Sequence, residues 1–122
     1  MRALKKIICF DIDDVICKTN KNDYRTSRPK LNTIKVINNL YDHGYFIKLF
    51  TSRYMGRSKE KVNKAKKRAE KITIKQLKDW KVKYHKIIFG KPSYDVFIDD
   101  KAIRFDKMWL KNLMKSVKSK IL

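Results

Sequence analysis

The apolar residues of this chain follow two rhythms, and the switches between them mark out its elements. Short, nearly unbroken apolar runs occupy residues 5–10, 45–50, 86–89 and 94–98, each bounded by polar or turn-forming residues. Runs of that length read as buried strands. Between them the spacing turns helical. Over residues 32–42, Ile34, Ile37, Leu40 and Tyr41 fall on one helix face, and Gly44 stands where a left-handed C-terminal cap is wanted. Residues 58–70 are highly charged and predict an exposed helix with little apolar face. A second helical piece is expected over residues 73–80, capped by Thr73 and turning Ile74, Leu77 and Trp80 towards the core. The tail, residues 103–117, is amphipathic, with Phe105, Met108, Trp109, Leu113 and Val117 expected to point inward. Residues 18–30 are polar and include Pro29, so they predict a loop or short flap.

Strands alternating with helices predict an α/β fold: a central parallel sheet between helical layers, a Rossmannoid three-layer sandwich. With 122 residues, the chain is expected to form one domain over residues 1–122. The informative feature is where the polar residues fall. Asp11, Thr51 and Asp99 each directly follow an apolar run. In an open α/β sheet, ligands bind outside the carboxyl ends of the strands. Three distant parts of the chain are therefore expected at one edge.

Asp11 and Asp13 put two carboxylates at the exit of the first strand, and Asp99 and Asp100 supply two more. An apolar core cannot hold such charges, so they must face water or a cation. Mg²⁺, a hard cation that combines carboxylates with water and phosphate oxygens, relieves their repulsion. Lys91 adds a positive charge and Thr51 a hydroxyl donor, and together these groups complement a phosphate. Asp11 could then attack phosphorus in line and form an aspartyl-phosphate. Asp13 is placed to protonate the leaving alkoxide and later to take a proton from water.

The order of these residues resembles the haloacid dehalogenase (HAD) superfamily of phosphatases. Residues 7–15, with Asp11, Asp13 and Val15, resemble its first motif, an apolar strand followed by DxDx(T/V). Leu49-Phe50-Thr51 is similar to the second, Lys91 to the third, and Val96-Phe97-Ile98-Asp99-Asp100 to the fourth. The resemblance implies that Asp11 is the nucleophile and Asp13 the acid/base, with Thr51 and Lys91 holding phosphate. It also implies a metal site of Asp11, the main-chain carbonyl of Asp13, and Asp100 or Asp99. Thr51-Ser52-Arg53 and residues 89–102 are further similar to phosphatases of capsule or polysaccharide biosynthesis. That places Ser52 and Arg53 beside Thr51 as substrate-binding candidates and implies a sugar phosphate or related small metabolite. About 38 residues separate Asp13 from Thr51, and about 40 separate Thr51 from Lys91. Neither gap can hold a full cap domain, so a capless member with an open site is expected. Such sites accept large substrates or borrow walls from a neighbouring subunit, as in a homo-oligomer. Tyr24, Arg25 and Arg28 of the flap are candidates for substrate contact.

Composition adds one strong feature, a formal net charge of +20. A polyanion-binding surface is one explanation, and phosphorylated nucleic-acid ends or a non-catalytic basic binding role are then the alternatives to a small phosphorylated metabolite. However, only seven of the 32 basic residues are Arg. Nucleic-acid sites draw on Arg for its planar fork. The Lys, Ile and Asn excess also fits codon drift in an AT-rich genome. An EF-hand loop is excluded because Val15 and Ile16 stand where ligands and a Gly are needed. A receiver domain would lack the acidic pair that follows the Lys. His43 and His85 are isolated and expected at the surface. Cys9 is expected in a buried strand, and two cysteines, Cys9 and Cys17, without a disulfide framework point to a reducing cytoplasm. The basic start followed by a short apolar run does not read as a signal peptide, and no apolar stretch is long enough to span a membrane.

Overall fold

A computed structural model describes residues 6–118, so most of the basic start and the first residue of the expected first strand lie outside the described residues. The chain is α/β. Its central sheet has three parallel strands in the order β1-β4-β5: β1 (Ile7–Asp11), β4 (Phe46–Thr51) and β5 (Lys86–Phe89). Between β1 and β4 come β2 (Cys17–Lys18) and β3 (Arg28–Pro29), which pair antiparallel as a small hairpin, and helix α1 (Leu31–Asp42). Helix α2 (Val62–Asp79) joins β4 to β5, and α3 (Trp109–Val117) ends the described chain. The central parallel sheet with three helices is the class predicted from the alternation of elements.

The register explains the core. Ile8 pairs with Ile47, Phe10 with Leu49, and Leu49 with Ile87, so these side chains share one sheet face. Ile34, Ile37 and Leu40 of α1, Leu77 of α2 and Leu113 of α3 join them in one cluster, and Phe10 meets Trp109 edge to face. Each fully buried aliphatic side chain there contributes about 1.5–3 kcal/mol. The opposite face is more open. Ile7 is 62% exposed, and Phe46 and Cys9 are exposed as well. Cys9 therefore departs from the expected burial, because its position in β1 turns it away from the helices.

Three other elements differ from expectation. Residues 62–79 form one continuous helix, where two pieces were expected. Its buried stripe is Ala65, Ala69, Thr73 and Leu77, at i, i+4 spacing. Two of these are alanines, which is why the stripe read as a purely charged face. Thr73 is thus an interior residue and caps nothing, while Ile74 lies outside the stripe and is exposed. In the tail, helix begins only at Trp109, and Met108 is exposed.

Residues 94–98 form no strand, and Val96 and Ile98 are 76% and 93% exposed. Contacts on the far side of the cavity account for this. Ser93 donates its N–H and its hydroxyl to the Glu60 carboxylate at 2.8 and 3.1 Å, and the Tyr94 and Phe97 rings pack against each other beside Lys91. These contacts hold the segment near the β4–α2 connection. No strand pairs with the second edge of β1 among the described residues.

Candidate active site

The carboxyl ends of β1, β4 and β5 converge on a cavity of about 460 Å³. Asp11, Asp13 and Asp14 line one side, Ser52, Tyr54, Gly56 and Arg57 another, and Pro92, Ser93 and Tyr94 a third. Asn22 and Tyr24, from the hairpin loop, complete the rim.

Asp11 ends β1 with its side chain on the cavity. One carboxylate oxygen accepts the Ile12 N–H at 2.8 Å, and the other lies 3.3 Å from Lys91 Nζ. Burial pushes the Asp11 carboxyl above its ordinary value of 3.8, and Lys91 opposes that shift without cancelling it. Burial disfavours the Lys91 ammonium in turn, but the Tyr94 hydroxyl and the Asp11 carboxylate outweigh it and raise the Lys91 pKa. An intact ion pair would by itself lower the aspartate. The upward shift means that burial costs Asp11 more than Lys91 returns. Lys91 is held here by its backbone: the N–H groups of Gly90 and Lys91 both donate to the Thr51 carbonyl, at 3.2 and 3.0 Å. Gly90 has φ +96°, and a Cβ there would lie 2.7 Å from Val62 Cγ1. Only glycine fits this turn from β5 into the cavity.

Asp13 is held quite differently. Arg53 Nε donates to its Oδ2 at 3.0 Å and Arg53 Nη2 to its Oδ1 at 3.0 Å, a forked pair. Thr19 donates its hydroxyl to Oδ1 at 2.6 Å. Arg53 is 1% exposed, and its remaining donors reach Thr73 Oγ1 at 3.2 Å and Gln76 Oε1 at 2.6 Å on α2. Expected near the substrate, Arg53 instead spends its guanidinium on Asp13 and α2. Thr51 is fully buried; its hydroxyl accepts the Arg53 N–H at 3.0 Å, and the neighbour that lines the cavity is Ser52.

The structure thus gathers Asp11, Asp13 and Ser52 around one cavity, with Lys91 paired to Asp11 and with Thr51 and Arg53 buried behind them. It does not bring Asp99 and Asp100 there. Both are exposed, and Asp99 accepts the Lys101 N–H at 2.9 Å in a local turn that lowers its pKa. Among the described residues no cluster of three or more His, Cys, Asp or Glu could hold a metal. Of the three cavity carboxylates, Asp13 is taken up by Arg53 and Thr19. The Asp11 carboxylate with the Asp13 main-chain carbonyl still matches what Mg²⁺ uses when waters and a substrate phosphate supply its other ligands. Of the flap candidates Tyr24 reaches the cavity, whereas Arg25 and Arg28 are exposed and do not line it. Tyr54 and Arg57 line it without having been singled out from the sequence. The available signal was their position three and six residues after Thr51, with Arg57 a rare Arg in a Lys-rich chain.

No protein-family model matches the chain, and no curated protein matches it. Among solved structures, the fold is similar to a crystal structure of an MCSG target from Vibrio cholerae, with TM-score 0.77 and 27% identity over 93% of this chain and 98% of that one. It is also similar to a chain of a Pnkp1/Rnl/Hen1 complex, with TM-score 0.52 and 18% identity over 93% of this chain and 34% of that one. A chain of the Pnkp1/Rnl/Hen1 RNA repair complex gives TM-score 0.50 and 14% identity over 97% and 33%. At these identities the two complexes show a shared fold, and this chain spans about a third of their length. The fold is therefore a small Rossmann-like α/β domain, matched along nearly its whole length by a solved structure.

Proposed function

We propose that the chain hydrolyses phosphomonoesters, with Asp11 as the nucleophile. The observation that carries this reading is the Asp11 carboxylate lining the cavity, 3.3 Å from the Lys91 ammonium. The order of Asp11, Asp13, Thr51 and Lys91 resembles that of HAD phosphatases, and the Asp11–Lys91 pair beside the cavity supports the reading. Asp11 would attack phosphorus, the ester oxygen would leave, and an aspartyl-phosphate would form. Lys91 would draw the phosphate in and offset its charge. Water would then attack the same phosphorus, releasing inorganic phosphate and restoring Asp11. Arg53 and Thr19 orient the Asp13 carboxylate on the cavity wall, where it would exchange protons with the leaving oxygen and with that water. Mg²⁺ is the cofactor in this reading, held by the Asp11 carboxylate and the Asp13 main-chain carbonyl, and it would offset the charge between the carboxylate and the phosphate dianion. Asp99 and Asp100 are exposed and do not line the cavity, so they take no part in this reading.

Purified protein should release phosphate from an aryl phosphate with Mg²⁺ and not with EDTA. Asp11→Asn should abolish turnover and keep the circular dichroism spectrum. Normal turnover by that variant would remove Asp11 from the role. A sugar phosphate is the substrate implied by the likeness to the capsule group. A second reading, phosphate removal from nucleic-acid ends, draws support from the +20 charge and from a fold shared with chains of an RNA repair complex. Turnover of phosphorylated oligonucleotides against sugar phosphates separates the two.

A further inference from the structure

We infer that Tyr54, Arg57 and Tyr94 form a subsite for the terminal base of a single-stranded nucleic acid whose end phosphate sits at Asp11. This inference rests on the hydrolytic reading and selects nucleic-acid ends as the substrate class. The cavity, about 460 Å³, falls in the range of sites for ligands much larger than a phosphoryl group. Beyond the acidic side formed by Asp11, Asp13 and Asp14, its walls carry three tyrosines, Tyr24, Tyr54 and Tyr94, and one cation, Arg57. The Tyr24 and Tyr54 rings lie 4.9 Å apart, and the Arg57 guanidinium carbon sits 5.0 Å from the Tyr54 centroid and 5.4 Å from that of Tyr24. Arg57 is fixed there: its Nη2 donates to the Asn22 carbonyl at 2.6 Å, and its own carbonyl accepts from Arg68 Nη1 at 3.0 Å. Tyr54 has φ +63°, a left-handed conformation uncommon for an aromatic residue, which the surrounding contacts hold. Across the cavity, the half-exposed Tyr94 ring stands beside Lys91. Aromatic faces and guanidinium planes are the surfaces on which unpaired bases stack.

The route away from this subsite is cationic. Arg68, which holds Arg57, belongs to a stripe on α2 made of Lys64, Arg68, Lys71, Lys75 and Lys78. Their spacing of four and three residues puts them on one exposed helix face. From Lys64 to Lys78 the stripe runs about 21 Å at 1.5 Å per residue. Among the described residues, Lys75 alone of these five pairs with an acid, Asp79 at 2.8 Å, and that pair is exposed. A strand entering the cavity by its phosphorylated end would lay its backbone along this face, and a free sugar phosphate would not reach it.

The test compares a 3′- or 5′-phosphorylated oligonucleotide with glucose phosphate. In Arg57→Ala, the ratio of kcat/KM for oligonucleotide over sugar phosphate should fall about tenfold, carried by KM. In Lys64→Gln/Lys71→Gln/Lys78→Gln, sugar-phosphate turnover should be unchanged, while the slope of log affinity against log salt for the oligonucleotide should fall by about 2. An unchanged ratio and slope would overturn the inference. The same holds if both substrates suffer equally. Binding of the oligonucleotide to Asp11→Asn, followed by fluorescence anisotropy, separates the subsite from the reaction. If no substrate is turned over but Arg57→Ala still weakens oligonucleotide binding, the hydrolytic reading fails and the subsite stands. If sugar phosphate is turned over and oligonucleotide does not bind, the reverse holds.

Discussion

Arg53 and Asp13 show how one side chain can change roles between sequence and structure. A guanidinium just past Thr51 looks like a phosphate ligand, yet here it is the buried partner of a carboxylate and a strut to α2. Removing one member of such a pair leaves the other charge uncompensated. Asp13→Ala should therefore lower the unfolding free energy by about 3 kcal/mol, read from urea denaturation. Arg53→Lys should rescue little, because a point charge cannot reproduce the fork that reaches Asp13, Thr73 and Gln76 together. The pairing was not legible in the sequence, since Thr73 and Gln76 lie 20 and 23 residues from Arg53 and Thr73 read as a helix cap. Asp11 and Lys91 were legible, because each ends or follows an apolar run and strand ends converge by topology. Their electrostatics set a pH dependence. Burial raises the Asp11 pKa in the metal-free protein. The folded carboxyl then keeps its proton to higher pH than the unfolded one, so the stability this gives is present at low pH and lost as pH rises through the folded value. An NMR titration of Asp11 without Mg²⁺ should give a pKa above the ordinary aspartate value, and Lys91→Met should move it further up, since Lys91 pulls it down. A metal-free value at or below the ordinary one would contradict the burial of Asp11.

At the scale of elements, the sheet and α1 followed from periodicity because each has an apolar face that only one arrangement buries. The bend out of β5 rests on a single residue. Gly90→Ala would place a methyl group 2.7 Å from Val62 Cγ1 at a positive φ. The left-handed backbone alone costs roughly 1–2 kcal/mol, and the crowding adds to it. The expected result is a lower melting temperature together with weakened phosphate binding, since Lys91 rides on that turn. Wild-type values for both would remove Gly90 from this role. The expected strand over residues 94–98 shows where pattern fails. An apolar run reports a wish for burial and names no partner. The Glu60–Ser93 hydrogen bonds, which anchor the run elsewhere, link residues 33 positions apart. The continuous α2 was missed for a related reason, because two of its four buried positions are alanines.

For the whole molecule, composition revealed the size of the charge and nothing of its arrangement; the stripe on α2 and the aromatic wall became visible only with the fold. Mg²⁺ offers a check on the cavity that needs no turnover. An ion bound by the folded form alone should stabilise it by about 2.7 kcal/mol at a hundredfold excess over Kd, and Asp11→Asn should weaken that gain. Equal stabilisation of both proteins would place the ion elsewhere. The most direct test is chemical trapping at Asp11. Protein mixed with a phosphomonoester is quenched in acid and reduced with borohydride, which converts an aspartyl-phosphate to homoserine, and its peptides are sequenced by mass spectrometry. Homoserine at position 11, absent without substrate, is the expected result. Phosphate release with Asp11 unmodified at every quench time would contradict it.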